Sequence, residues 1–294
     1  MHAPGLLLHF GDQADLATRL ADAARLDLAG IEVHRFPDGE SRLTLPAYLP
    51  ARVVMLRTLN DPNTKLVELL LASRAARELG ALHLTLVAPY LGYMRQDTAF
   101  HPGEAVSQRI IGDWLATLFD ALITVDPHLH RVSTLQQAVP VAQAHTLSAT
   151  ALLSDWIVAQ RAHPLLIGPD AESLQWVSAA AKRHRLDFAA CQKTRRGDRD
   201  VHILLPGIPV DGRAVVLLDD VASTGHTLAQ AAQALRLAGA ASVDVAVTHA
   251  LFLGDGLEQV RQAGVQHIWS TDCLPHASNC VSVASLIGQT LQSH

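Results

Sequence analysis

Short apolar runs alternate with amphipathic stretches almost from one end of the chain to the other, and that rhythm constrains the fold more than any single motif does. Leu6 to Phe10, Val53 to Leu56, Leu82 to Ala88 and Ala121 to Val125 read as strands. Asp12 reads as the cap of a helix with Leu16, Leu20 and Ala23 on one side, and Leu66 to Leu79 and Val106 to Leu118 read as further helices. After Pro140 the rhythm repeats. Helices are expected at Ala149 to Gln160, Leu174 to His184, Leu228 to Leu237 and Leu257 to Gln262. Strands are expected at Leu165 to Ile167, near Phe188, and at Val201 to Leu205, Ala214 to Leu218 and Val243 to Val247. Alternation of this kind predicts an α/β architecture, with mostly parallel sheets flanked by helices.

A chain of 294 residues, 49% hydrophobic, is long enough for two ordinary domains with cores of their own. The break around Val139 to Leu147 divides it into 1–145 and 146–280. The strand-like Val281 to Val283 and the helical Ala284 to Leu291 form a closing segment, 281–294. The sequence leaves its packing partner open, the first domain being one candidate. No close repeat and no low-complexity segment is present.

Composition removes several classes of function. A net charge of −5 provides no broad basic field, which argues against a nucleic-acid partner. Small anionic substrates remain open, because local clusters and backbone amides bind phosphate within an acidic protein. Cys191, Cys273 and Cys280 form neither a disulfide framework nor a paired ligand set, and fit free thiols in a reducing cytosol. The opening MHAPGLLLHFGDQ reads as a first strand rather than a signal peptide, and no apolar run is long enough to span a bilayer. The expectation is a soluble cytoplasmic protein with no membrane partner.

In open α/β sheets ligands gather beyond the carboxyl ends of the strands. Four expected strands end in polar clusters: LTLVAPYLGYMRQD brings Arg95, Gln96 and Asp97; LITVDPHLHR brings Asp126, His128 and His130; LLIGPDAES brings Asp170 and Glu172; VVLLDDVASTGHT brings Asp219, Asp220, Ser223, Thr224 and Thr227. The last is the most specific. Two carboxylates leave a buried strand, and small or hydroxyl residues through Gly225 and His226 then turn into a helix whose start favours an anion. A phosphate fits that turn, and the carboxylates suit sugar hydroxyls, directly or through a divalent cation. The plain alternative is a strand-to-helix loop with a hydroxyl cap and solvated acids.

This turn resembles the phosphoribosyl-pyrophosphate loop of type I phosphoribosyltransferases and of ribose-phosphate pyrophosphokinases. HRFPDGES (34–41), PYLGYMRQD (89–97), PGEAVS (102–107) and THALF (248–252) resemble the pyrophosphokinase family specifically, in order and spacing over nearly the whole chain. The resemblance implies two domains of the phosphoribosyltransferase type, with the active site between them and ATP reaching across a subunit contact of a homo-oligomer. It implies that Asp38 and Glu40 belong to a loop that meets the adenine of ATP from a neighbouring subunit. Read alone, FPDG is a tight turn. Arg95 and Gln96 are implied to hold the phosphates and base of ATP, with Asp97 the next member of that motif. Arg suits phosphate through its planar donors, although a surface ion pair is its plain reading.

His128 matches a histidine near the magnesium ion and the ATP phosphates. Asp126, His128 and His130 also share one face of an extended chain, which leaves a zinc or manganese site, or a structural histidine, as alternatives. Asp170 matches an acidic position that helps bind metal or ribose phosphate, and it also suits a helix cap. Lys193 and Arg195, in a hairpin with Gly197, Asp198 and Asp200, are implied to close over the site and stabilise the transferring group. A solvated basic loop is their plain reading. Asp219 and Asp220 would fix the ribose hydroxyls, and Ser223, Thr224, Gly225 and Thr227 the 5-phosphate.

The implied reaction passes the β,γ-pyrophosphoryl group of ATP to the anomeric hydroxyl of ribose 5-phosphate, with Mg²⁺ as cofactor. No GxxxxGK[ST] and no protein-kinase signature is present, so ATP is held by another arrangement. The chain departs from the family's pattern in places. Ser223 stands where many relatives carry an acid, Thr98 and Ala99 where many carry basic residues, and His226 where Gly is usual. A side chain at 226 would crowd the phosphate, or occupy a position that needs positive φ. Two alternatives therefore stand beside the enzyme: a non-catalytic regulatory relative and a phosphoribosyltransferase.

Overall fold

The computed structural model describes residues 5–129, 131–195 and 201–293, with only the backbone at 193–195 and 201–202. The chain forms two compact units, Met1–Leu147 with Val283–His294, and Ser148–Ser282.

The first unit runs β1 (Leu6–Phe10), α1 (Ala14–Ala24), β2 (Asp27–Arg35), β3 (Ser41–Thr44), β4 (Arg52–Leu56), α2 (Pro62–Glu78), β5 (His83–Val87), α3 (Ser107–Ala116), β6 (Ala121–Val125), α4 (Leu135–Ala138) and β7 (Gln143–Leu147). Its seven strands lie in the order β3-β2-β1-β4-β5-β6-β7. Every neighbouring pair is parallel except the β2–β3 hairpin. The central strands β4, β5 and β6 are buried almost throughout, as strands covered on both faces must be. One face packs Leu66, Leu69, Ala72 and Ala76 of α2 against Leu8, Val53, Met55, Leu84 and Leu86. Asp12 does not cap α1. It lies in a one-turn helix over Gly11–Gln13, and its carboxylate pairs with Arg57 instead.

The second unit runs α5 (Thr150–Gln160), β8 (Leu165–Gly168), α6 (Leu174–His184), β9 (Phe188–Ala190), β10 (Gln192–Arg195), β11 (Val201–Leu204), β12 (Ala214–Ala222), α7 (His226–Leu237), β13 (Ser242–Ala250), α8 (Gly256–Gln262), β14 (Ile268–Thr271) and β15 (Asn279–Val281). Six strands form an all-parallel sheet, β15-β14-β13-β12-β8-β9, and β10–β11 is a separate antiparallel ribbon. Helices α5 and α6 cover one face through Leu153, Ile157 and Val177; α7 covers the other through Leu228, Ala231 and Leu235. The last helix, α9 (Ala284–Gln292), belongs to the first unit, where Gly288 meets α1: a Cβ there would lie 2.8 Å from that of Ala23. No helix among the described residues is long and apolar enough to cross a membrane.

Each sheet has a point where the connections leave neighbouring strands in opposite directions. In the first unit it lies between β1 and β4; in the second, between β8 and β12. Such points open the crevices in which α/β sheets hold ligands.

Candidate active site

In the second unit the crevice is lined by carboxylates. Asp170 follows β8, and Asp219 and Asp220 lie near the end of the adjacent β12. Asp219 is half-buried and Asp220 buried, and the Asp220 N–H donates to Asp219 Oδ1 at 3.0 Å. Desolvation, and then the charges of Asp220 and Asp170, push the Asp219 carboxyl well above the usual aspartate range. The same neighbourhood raises the buried Cys191 thiol to about 11, through burial first and the Asp170 charge second. Asp170 itself builds the turn before α6. Its Oδ1 accepts the N–H groups of Glu172 at 3.1 Å and Ser173 at 3.3 Å, and Ser173 Oγ donates to its carbonyl at 2.6 Å. The helix cap is Ser173, so Asp170 shapes the turn rather than capping α6.

Beyond β12, the turn 222–225 is held by backbone bonds. The N–H groups of Leu251 and Phe252 donate to the Ala222 carbonyl at 3.0 and 2.9 Å, and Leu253 N–H to that of Ser223 at 2.8 Å. The segment THALF is thus the wall behind the turn. Gly225 has φ of +73°, and a Cβ on it would lie 2.6 Å from the Gly256 carbonyl, so both conformation and space require glycine there. No side chain caps α7, which begins at His226, as an anion site at its start would need. Ser223 and Thr227 are half-buried, and Thr224 and His226 exposed. His226 has ordinary helical backbone, so the requirement for positive φ expected at that position falls on Gly225 instead. Lys193 and Arg195 lie on β10, paired with Ile203 and Val201; Gly197, Asp198 and Asp200 lie outside the described residues.

In the first unit the expected ATP residues follow β5 and β6. Arg95 is exposed. The side-chain amide of Gln96 donates to the Thr98 carbonyl at 2.9 Å. Asp97 has a fully buried side chain that pairs with Arg131 Nη1 at 2.5 Å and accepts the Arg131 N–H at 3.2 Å. It therefore ties the Arg95–Gln96 loop to the loop carrying His128. Glu104 gathers the rest of the loop, accepting the Phe100 N–H at 2.8 Å and pairing with His101 at 2.7 Å. Those two bonds, the one to His101 first, hold its carboxyl below the usual range.

Asp126 is buried, with φ of +38°, and its N–H donates to the Leu147 carbonyl at 2.8 Å. His128 is half-buried, and His130 lies outside the described residues. Among the described residues no group of three His, Cys, Asp or Glu side chains forms a metal site, and His128 and Asp170 stand on different units. Asp38 and Glu40 are exposed on the β2–β3 turn, where Gly39 takes φ of +96° and the Glu40 N–H donates to Asp38 Oδ1 at 3.2 Å. Glu104, within PGEAVS, and Arg131, the last residue of LITVDPHLHR, lie in segments that the sequence marks, but no local signal singles out their side chains.

Two helix-flanked, mostly parallel sheets, the second with an acid pair leading into a glycine turn, define a protein of the phosphoribosyltransferase-like class. Residues 6–118 match the family model described as the N-terminal domain of ribose phosphate pyrophosphokinase, and residues 141–268 match the phosphoribosyl transferase domain. A ribose-phosphate pyrophosphokinase of Methanopyrus kandleri is 34% identical over 98% of this chain and 99% of its own. One from Methanosarcina acetivorans is 33% identical over 94% of this chain and 95% of its own. The crystal structure of phosphoribosylpyrophosphate synthetase from Mycobacterium smegmatis has the same fold, with a TM-score of 0.83, 24% identity and 98% of each chain covered. The chain belongs to the ribose-phosphate pyrophosphokinase family.

Proposed function

We propose that this enzyme transfers the β,γ-pyrophosphoryl group of ATP to ribose 5-phosphate, giving phosphoribosyl pyrophosphate and AMP. The anomeric oxygen of the sugar forms a bond to the β-phosphorus and loses its proton. The bond from that phosphorus to the oxygen bridging the α-phosphorus breaks, and AMP departs with that oxygen. Such a transfer needs in-line placement and charge on the phosphate oxygens more than covalent help.

The observation that carries this reading is the turn at 222–227: an uncapped helix start behind a glycine that no other residue could replace, directly after two carboxylates. Gly225, Thr224, Thr227 and Ser223 would hold the 5-phosphate, and Asp219 and Asp220 the ribose hydroxyls. Arg95, Gln96, Asp97 and His128 would serve ATP, with Asp38 and Glu40 meeting the adenine of a neighbouring subunit's ATP in a homo-oligomer. Lys193 and Arg195 would neutralise the transferring group. Burial first, and then the charges of Asp220 and Asp170, raise Asp219, and a divalent cation would relieve the second of these causes. Asp170 and His128 are the residues we would assign to Mg²⁺, which when bound supplies charge to the phosphate oxygens. The chemistry suits a reducing cytoplasm, with Cys191, Cys273 and Cys280 as free thiols.

The test is release of AMP from ATP that depends on both ribose 5-phosphate and Mg²⁺. Without it, the non-catalytic relative is the better reading; pyrophosphate-dependent base exchange would favour a phosphoribosyltransferase. Lys193→Ala should lower turnover by about 10²- to 10³-fold, the usual effect of losing one charge-stabilising donor. Calorimetry should still detect ribose 5-phosphate binding. An unchanged rate would remove the β10–β11 ribbon from the mechanism.

A further inference from the structure

Four charged side chains, far apart in the sequence, meet beneath the β2–β3 hairpin, and the site assigned above uses none of them. Arg57, at the exit of β4, donates to Asp12 at 2.5 Å and to Glu68. Glu68 also accepts from Arg35 Nη2 at 2.9 Å. The side chain of Glu68 is 1% exposed, that of Arg57 5% and that of Arg35 57%. A carboxylate this dry has lost its hydration and needs hydrogen-bonding partners in its place, and two guanidiniums supply them here. Arg57 is itself pinned over the Phe10 ring, 4.1 Å from its centroid. Helix α2 thus presents a fixed, buried acceptor, Glu68, and Arg35 reaches it from the hairpin.

Arg35 is the last residue of β2, opposite Ser41, and the turn that carries Asp38 and Glu40 starts at the next residue. Val33, two residues earlier, is the last apolar side chain of β2 packed on the core. Past it lies a polar cleft of about 620 Å³ lined by Arg35, Arg57, Asp12 and Lys65. Packing therefore stops at Val33, and charge takes over where the nucleotide-facing turn begins.

We propose that the Arg35–Glu68 pair is a strut that sets the pose of the hairpin and so positions Asp38 and Glu40 for the adenine of ATP. The proposal rests on the reading of Asp38 and Glu40 given above. Both members are positioning residues; Glu68 is too buried to touch a nucleotide and acts through Arg35.

Steady-state kinetics of the full-length enzyme test it. Arg35→Ala should raise KM for ATP about 3- to 5-fold, the range open to a half-exposed pair. KM for ribose 5-phosphate, kcat and the melting temperature should change little, and Arg35→Lys should recover part of the loss. Added salt should raise KM for ATP more in the parent than in Arg35→Ala. Glu68→Gln should reproduce the rise, and the double variant should add nothing further. Where Glu68→Gln melts below the assay temperature, the Arg35 variants and the salt series decide. Glu40→Ala checks the underlying reading separately. If it raises KM for ATP while Arg35→Ala does not, the strut is wrong and the role of the hairpin stands. If neither does, the assignment of the hairpin to ATP fails. A rise in Arg35→Ala with a folded but silent Glu68→Gln would make Arg35 a direct ligand, and would also overturn the strut.

Discussion

The two sheets share a topological feature and treat it in opposite ways. Between β1 and β4 the crevice of the first sheet holds Arg35, Arg57 and Lys65 against Asp12, Asp61 and Glu68, so that the two signs are matched. Even Lys65, its pKa lowered chiefly by burial, has Asn60 Oδ1 at 2.6 Å and the Thr58 carbonyl at 3.0 Å. Between β8 and β12 the crevice of the second sheet gathers Asp170, Asp219 and Asp220, and burial, followed by the like charges, raises the Asp219 carboxyl well above the usual range. A crevice that completes its own charges acts as a joint. One that leaves carboxylates in mutual repulsion is strained until a cation or a hydroxylated ligand arrives, and strain of that kind collects at functional sites.

The sharpest way to break the contrast is Asp219→Asn. The amide keeps an oxygen for the Asp220 N–H and removes the charge. Activity should fall about 10- to 100-fold in kcat/KM for ribose 5-phosphate, the scale of a lost hydrogen bond to a charged group. Stability should move the other way. The folded-state pKa of Asp219 lies above its unfolded value, so the folded protein binds that proton more tightly. The penalty is absent below the ordinary aspartate pKa and grows as pH rises through the raised one. The ligand-free variant should therefore melt higher than the parent at pH 8, with the gap closing as pH falls. A variant that melts lower at pH 8 would show the acids to be structural, and the contrast between the crevices would vanish.

The parts of the fold that were legible in the sequence are strands buried on both faces and helices with one sustained apolar face. The strands β1 and β6 and the helix α6 have the bounds their apolar patterns predict. The strands β2, β3, β7 and β14 escaped. β2 is exposed at most positions, β7 is a polar edge strand reading QAHTL, and β14 buries Ser270 and Thr271 by hydrogen bonding rather than by apolar character. The site divides in the same way. Asp219 to Thr227 lie on one continuous turn, so the segment displays its chemistry in order. The network of Arg35, Glu68, Arg57 and Asp12 joins residues 11 to 45 positions apart, and no local pattern announces it. Asp12 shows the cost of reading locally. Its place before an amphipathic helix suggested a cap, whereas a buried arginine claims its carboxylate.

A smaller effect tests whether the loops of the first unit are as settled as its crevice. Asp97 has a fully buried side chain and depends on Arg131, which is 54% exposed. Arg131→Ala should leave that carboxylate with the backbone N–H at 131 alone and loosen the loop that carries Arg95 and Gln96. KM for ATP should rise about 3- to 10-fold, with KM for ribose 5-phosphate unaffected. Equal changes in both constants would place this ion pair in the general stability of the unit rather than in ATP binding.

The smallest effect concerns His226, where relatives usually carry glycine. Glycine would matter at that position if the backbone needed positive φ or if a side chain filled the phosphate turn. The first condition is met one residue earlier: Gly225 takes φ of +73° with the Gly256 carbonyl packed against it, while His226 opens α7 with helical backbone. The second is answered by the exposure of the imidazole. His226→Gly should therefore leave KM for ribose 5-phosphate within about twofold, as surface substitutions do, and lower stability by less than about 1 kcal/mol through helix entropy. A tenfold fall in KM would mean that the imidazole swings over the bound phosphate. The second crevice would then be held partly shut by its own side chain, and the contrast with the first would be one of degree.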